Sequence, residues 1–153
     1  SICLWANIDS FPSSNSHTVS PVLFKAAKRS VFYTIGDGSP TDKLGLRVNI
    51  SNTWSTPVLS NSLSLNTWYN ICTTYDPSSG FILYQNGSSV DTSSTTGSIT
   101  NILPVTNTEI AAYTTSSGRY YDGSISSVLV YNKALTSTEV SHNYNQIKSR
   151  YGL

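Results

Sequence analysis

Residues 119–153 read RYYDGSISSVLVYNKALTSTEVSHNYNQIKSRYGL, and this block decides the fold. Asp122-Gly123 is a turn signal, Ile125 to Tyr131 is an apolar run of strand length, expected to be covered on both faces, and Asn132-Lys133 closes it. Thr136 stands three residues ahead of Glu139, the spacing of a capping box. There a hydroxyl and a carboxylate each satisfy a backbone N–H that the helix start leaves open. Val140, Tyr144, Ile147 and Tyr151 then recur at helical spacing, and Gly152 supplies the stop. One amphipathic helix at the end of a strand-rich chain has to lay its apolar stripe on a sheet. The expectation is an all-β fold, a two-sheet antiparallel β-sandwich with one short C-terminal helix.

Composition agrees. Only 11% of residues are charged, against roughly 25% in ordinary soluble domains, and about two residues in five are Ser, Thr or Asn. Those side chains bond to nearby backbone and disfavour helix interiors, so strands and turns are expected. With 153 residues the chain has room for one domain, 1–153. A net charge of +1 with scattered basic residues offers no handle for nucleic acid. No apolar run reaches the roughly 20 residues of a membrane-spanning helix, so no membrane partner is expected. The chain opens inside an apparent strand, SICLWANI, without a Met. It reads as the C-terminal part of a longer polypeptide.

Upstream of the terminal block the signals are short strands. Ile2 to Ile8, Val22 to Lys25, Ser30 to Ile35 and Leu44 to Ile50 come first; in the last, Leu44, Leu46, Val48 and Ile50 alternate with Gly45, Arg47 and Asn49. Val58 to Leu65 is a weaker strand and loop. Trp68 to Tyr75 and Phe81 to Gln85 are strands, and Asn86-Gly87 is a two-residue hairpin turn that returns the chain beside Phe81 to Gln85. Ser88 to Gly97 reads as a flat exposed strand, and Glu109 to Tyr113 as the last before the terminal block. Some ten strands without a long repeat fit a sandwich or jelly roll. Cys3 and Cys72 both fall in strands. A bridge between neighbouring strands is open to them, but the burial tendency of unpaired cysteine favours two small buried hydrophobes.

With these segments placed, the chain resembles the laminin G-like, concanavalin A-like jelly-roll superfamily. Ser1 to Ala6 is similar to its F-[ST]-I-S-x-W-V strand, Trp68 to Asp76 to W-x-H-V-A-x-T-Y-D, and Leu83 to Gly87 to L-Y-V-D-G. Tyr121 to Ile125 with Val130 to Thr136 is similar to F-x-G-x-I-D-x-V-x-I-Y-N-R-A-L-S. The ending Lys148 to Leu153 also resembles C-terminal domains of bacteriophage and other viral structural proteins. The resemblance implies a non-catalytic surface module of a virion structural protein, a capsid decoration, fibre or tail domain at the virion surface. It would adhere to surface glycans or a host receptor as a multivalent homo-oligomer, beside other virion proteins or upstream domains. Two alternatives are a carbohydrate-binding or adhesion domain of a secreted cellular protein and a purely structural packing domain.

An enzyme is the weaker reading. A glycosidase needs two carboxylates flanking the scissile bond. The eight present, Asp9, Asp37, Asp42, Asp76, Asp91, Glu109, Asp122 and Glu139, include no two within four positions on one expected strand. His17 falls in a Ser-rich loop and His142 on the polar side of the helix. The superfamily's rim calcium implies Asp37, Asp42, Asp76 and Asp122 as loop ligands, although each is also a turn residue. A sugar needs an exposed aromatic face with hydroxyls and amides around it. The candidates are Trp54, Tyr113, Arg119, Tyr120 and Tyr121, all in or beside expected loops, with Trp54 and Tyr120 the foremost. Trp5 and Trp68 are expected in the core. Asn49-Ile50-Ser51 and Asn86-Gly87-Ser88 match the glycosylation tripeptide.

Overall fold

The computed structural model describes residues 1–11, 20–25, 31–35, 42–99, 108–113 and 119–153. For 20–25, 31–35, 108–109, 113 and 119 the description is of backbone alone. Among the described residues there are twelve strands: β1 (Ile2–Ile8), β2 (Ser20–Lys25), β3 (Val31–Ile35), β4 (Leu44–Ile50), β5 (Thr53–Leu59), β6 (Trp68–Asp76), β7 (Gly80–Gln85), β8 (Ser88–Ser93), β9 (Thr108–Ile110), β10 (Ala112–Tyr113), β11 (Arg119–Tyr120) and β12 (Gly123–Val130). A helix, α1 (Ser137–Ile147), and a 3-10 turn, Lys148–Tyr151, finish the chain. The strands form two five-stranded antiparallel sheets, sheet A in the order β12-β1-β6-β7-β8 and sheet B in the order β5-β4-β3-β2-β9, with β10 and β11 as a small separate pair. This is the expected sandwich.

The core follows from the period of two in strands. Leu4, Ala6 and Ile8 of β1, Ile71 of β6, and Phe81 and Leu83 of β7 face Leu44, Leu46, Val48 and Ile50 of β4 and Val58 of β5. The other side of sheet A is buried as well. Cys3, Cys72 and Tyr84 pack there with Leu135 and Val140, which the helix brings down. Trp5, 2% exposed, stacks on the rings of Tyr144 and Tyr151 at 5.8 and 3.9 Å between centroids. The half-buried Trp68 meets Tyr151 from the side. Trp5 is therefore core, but in the layer between sheet A and the helix.

Two turns hold this layer in place. Asn86 and Gly87 take φ of 52° and 77°, as the expected hairpin requires. Gly87 also lies under the helix, where a Cβ would come within 2.7 Å of the Tyr144 ring. The capping box forms as read: the Thr136 hydroxyl accepts from Glu139 N–H, and the Glu139 carboxylate accepts from Thr136 N–H at 2.9 Å. Lys133 pairs with the same carboxylate.

Several expectations change. Cys3 and Cys72 are directly opposite in the β1–β6 register and form a disulfide, so they are not simply two small hydrophobes. β12 is an edge strand with Leu129 and Val130 exposed, not a strand covered on both sides. The expected strand from Glu109 to Tyr113 is split into β9 and β10 at Ala111, whose φ is positive. β5 begins at Thr53, earlier than expected, and runs through Pro57. That residue is tolerated because β5 lies at a sheet edge and carries a bulge there. The open side of β5 is tied to sheet A by side chains, Asp91 accepting from Leu59 N–H and Gln85 from Asn61 N–H.

The hydrogen bond from Lys133, with those from Thr136, holds the Glu139 carboxyl down from 4.5 to about 2. A depressed folded-state value adds stability above the unfolded value that is lost as pH falls through the folded one. The near-UV dichroism of the Trp5–Tyr144–Tyr151 stack is expected to hold above about pH 4.5 and to decay toward about pH 2. Glu139→Gln removes that acid step. Separately, Cys3→Ala with Cys72→Ala is expected to lower unfolding stability by about 2–4 kcal/mol in denaturant titrations, because the bridge closes a long loop in the unfolded chain.

Candidate functional site

The outer face of sheet A is covered by the helix, which leaves the outer face of sheet B as the other broad face. Its character follows from the alternation in β4. With Leu44, Leu46, Val48 and Ile50 turned inward, Gly45, Arg47 and Asn49 are turned outward. In the register Leu59 stands opposite Gly45 and Trp54 opposite Asn49. Between Leu46 and Val48 the partner strand carries one extra residue. That bulge falls at Pro57, which has no N–H to lose from the ladder.

The Arg47 guanidinium carbon lies 5.9 Å from the centroid of the half-buried Trp54 ring. A cation over an indole at this distance is attracted by the ring quadrupole. Beside them Asn49 is only 1% exposed, and its Oδ1 has no hydrogen-bond partner. A buried acceptor left unpaired costs about 1–3 kcal/mol. Phe32 stands opposite Arg47 from the β3 side. The arrangement is an aromatic ring, a planar cation and an unsatisfied amide oxygen on one sheet face.

The other sequence candidates are dispersed. Trp54 lies beside the Ser51-Asn52 tip, which is joined to Ser98 by a backbone hydrogen bond. That is the Asp76–Pro77 end of the sandwich, since Gly97 bonds back to Pro77. Tyr120, 66% exposed, lies at the opposite end, next to Tyr121 and Asp122, whose carbonyl takes Asp9 N–H. The two foremost aromatic candidates therefore do not share one site, and Trp54 stands in a strand, not a loop. Tyr121 is buried, its hydroxyl donating to the Asn7 carbonyl at 2.7 Å. Burial, with Asp9 and Asp122 nearby, pushes its phenol up. Tyr121 thus locks β12 to β1 and presents no face to a ligand. The side chains of Tyr113 and Arg119 lie outside the described residues.

The aspartates do not converge either. Asp37 and His17 lie outside the described residues. Asp76 accepts from the Ser78 hydroxyl and N–H, which hold its carboxyl below the usual range. Asp122, at the other end, accepts from the Ser10 hydroxyl. The Asp42 carbonyl takes Leu63 N–H. Among the described residues no three His, Cys, Asp or Glu side chains come together as a metal-binding group. Asn49 is sealed, and Asn86 accepts from Asn70 N–H, so both glycosylation tripeptides have structural work. Arg47 is not among the sequence candidates, although the Leu44–Ile50 alternation already puts it on the outer face.

A family model described as the concanavalin A-like lectin/glucanases superfamily matches residues 1–141. The chain belongs to that superfamily. Among solved structures it is similar to a carbohydrate-binding candidate from Bacteroides ovatus, at 21% identity and a TM-score of 0.68, covering 92% of this chain and 39% of that one. It is similar to domain 4 of AbnA, a GH43 extracellular arabinanase from Geobacillus stearothermophilus, in complex with arabinotriose, at 13% identity and 0.67, covering 92% and 64%. A heptameric SAP-like pentraxin from Limulus polyphemus matches at 19% and 0.64, covering 92% and 66%. The superfamily chain thus spans from about two fifths to two thirds of these proteins, and at such identities the likeness is one of fold. No curated protein matches it.

Tyr121→Phe is expected to lower unfolding stability by about 1 kcal/mol, the net worth of one partly buried hydrogen bond. Chemical denaturation of the variant beside the parent checks it.

Proposed function

We propose that this domain is a non-catalytic carbohydrate-binding and adhesion module that holds sugar on the outer face of sheet B at Trp54 and Arg47. The observation that carries the reading is the Arg47–Trp54 pair. The C–H face of a pyranose or furanose packs on an indole, and a guanidinium donates to ring hydroxyls. The contact is shallow, so useful avidity comes from several copies acting together. The fold is shared with a domain held with arabinotriose and with a heptameric pentraxin, which supports sugar binding and multivalent display.

A non-catalytic role is supported by the carboxylates themselves: Glu139 caps the helix, Asp76 closes a turn, and Asp91 ties β8 to β5. The Cys3–Cys72 disulfide supports an extracellular setting, where such bonds persist. A virion surface is one such setting and a secreted cellular protein another. The sugar contact is the same in either.

The test is a glycan array probed with the multivalent domain, beside Trp54→Ala and Tyr120→Ala tested separately. Binding is expected to fall about tenfold or more with Trp54→Ala, the worth of one stacked ring, and to persist with Tyr120→Ala and with chelator. Absence of binding by the intact domain, or loss confined to Tyr120→Ala, overturns the proposal.

A further inference from the structure

A second concavity lies on the other side of sheet B. Leu46 and Arg47 are consecutive, so where Arg47 faces outward, Leu46 faces the space between the sheets. At the Asp76 end that space opens into a cleft of about 880 Å³. Its walls are mostly apolar: Ile2, Leu46, Tyr75, Phe81, Ile99 and Val130. Val130 is 71% exposed and Ile99 37%, so two large apolar side chains stand open to water at its rim.

Much of its polar lining is engaged. The Tyr75 hydroxyl donates to the Gly97 carbonyl, Lys133 is paired with Glu139, and Asp76 is held by Ser78. Thr73 differs in being buried and unpartnered. It lies on the inward side of β6, between Ile2 and Leu83 in the register, and is 3% exposed. Its Oγ1 has no hydrogen-bond partner. Among the described inward neighbours on β1, β6 and β7 the Tyr69 and Tyr75 hydroxyls are bonded, and that of Thr73 is not. Valine would have the same shape without the cost of an unmet hydroxyl. An apolar cleft of this size with one convergent polar group has the make-up of a small-molecule site.

We infer that this cleft binds a small uncharged molecule whose apolar body lies between the sheets and whose single hydroxyl or carbonyl oxygen meets Thr73 Oγ1. The charged groups at the wall are each held by neighbours, Lys133 by Glu139, Asp76 by Ser78 and the Ser1 ammonium by the Tyr131 and Lys133 carbonyls, so the anchor argued here is the neutral hydroxyl. The site is independent of the sugar face, from which sheet B separates it.

The test uses 2-naphthol, a fused ring with one hydroxyl, and naphthalene, the same body without it. Each is titrated into the intact domain and followed by ligand fluorescence and by methyl NMR. Naphthol is expected to saturate with a Kd of about 0.1 mM, the affinity a ligand of its size reaches. Its shifts should centre on the methyls of Ile2, Leu46, Ile99 and Val130, and naphthalene should bind about tenfold more weakly, the value of one hydrogen bond. Thr73→Val should abolish that preference while melting no lower than the parent. No saturation, saturation with shifts elsewhere, or equal affinity for the two probes overturns the inference. So does a preference for naphthol that survives in Thr73→Val. The comparison of probes on the unaltered protein stands whether or not the variant folds.

Discussion

The structure depends on β1 having two buried faces. Leu4, Ala6 and Ile8 supply the intersheet core, while Cys3 and Trp5 would be open to water on the other side if nothing covered them. Leaving an indole and its neighbours exposed forgoes roughly 25 cal/mol per Å2 of apolar surface, so the chain must provide a lid, and α1 is that lid. Its placement is set by short links. The Ser1 hydroxyl donates to the Lys133 carbonyl and accepts from Leu135 N–H, pinning the connection from β12 to the start of β1. The capping box then starts the helix at once. From there the helical spacing carries Tyr144 and Tyr151 onto Trp5.

This constraint also decides where function can reside. Once sheet A is roofed, the outer face of sheet B and the open end of the sandwich are what remain. Arg47 and Leu46, adjacent in sequence, point to one each. At the open end a buried hydroxyl, Oγ1 of Thr73, is without a partner. A fold selected for stability alone would replace it with an apolar isostere, and its position in an apolar cleft gives it a physical rationale as a binding group.

What was legible in the sequence was whatever is local. The alternation from Leu44 to Ile50, the Asn86-Gly87 hairpin, the capping box at Thr136 and the stripe Val140–Tyr144–Ile147–Tyr151 all depend on residues within a few positions of one another. What failed depends on pairing at a distance. Nothing near Cys3 announces that β6 will set Cys72 opposite it, because that register is made by strands 69 residues apart. β12 looks apolar enough for a central strand, yet its place at the edge is a property of sheet order. Trp54 is expected in or beside a loop, and Thr53-Trp54-Ser55-Thr56-Pro57, which has no alternation and contains a proline, does not announce the strand it forms. An edge strand with a bulge tolerates both. Tyr121 and Tyr120 are adjacent and chemically alike, and only the Asn7 carbonyl, contributed from the far end of the chain, separates a buried lock from an exposed ring.

The composition carries the same argument into recognition. A chain with 11% charged residues and a net charge of +1 has little long-range field with which to steer a ligand. Its affinity must come from surfaces in contact, ring faces and single hydrogen bonds of about 1 kcal/mol each. Such contacts discriminate by shape and by whether a hydroxyl meets its acceptor. At the sugar face we propose, such contacts are weak one at a time, and many copies acting together would supply the avidity.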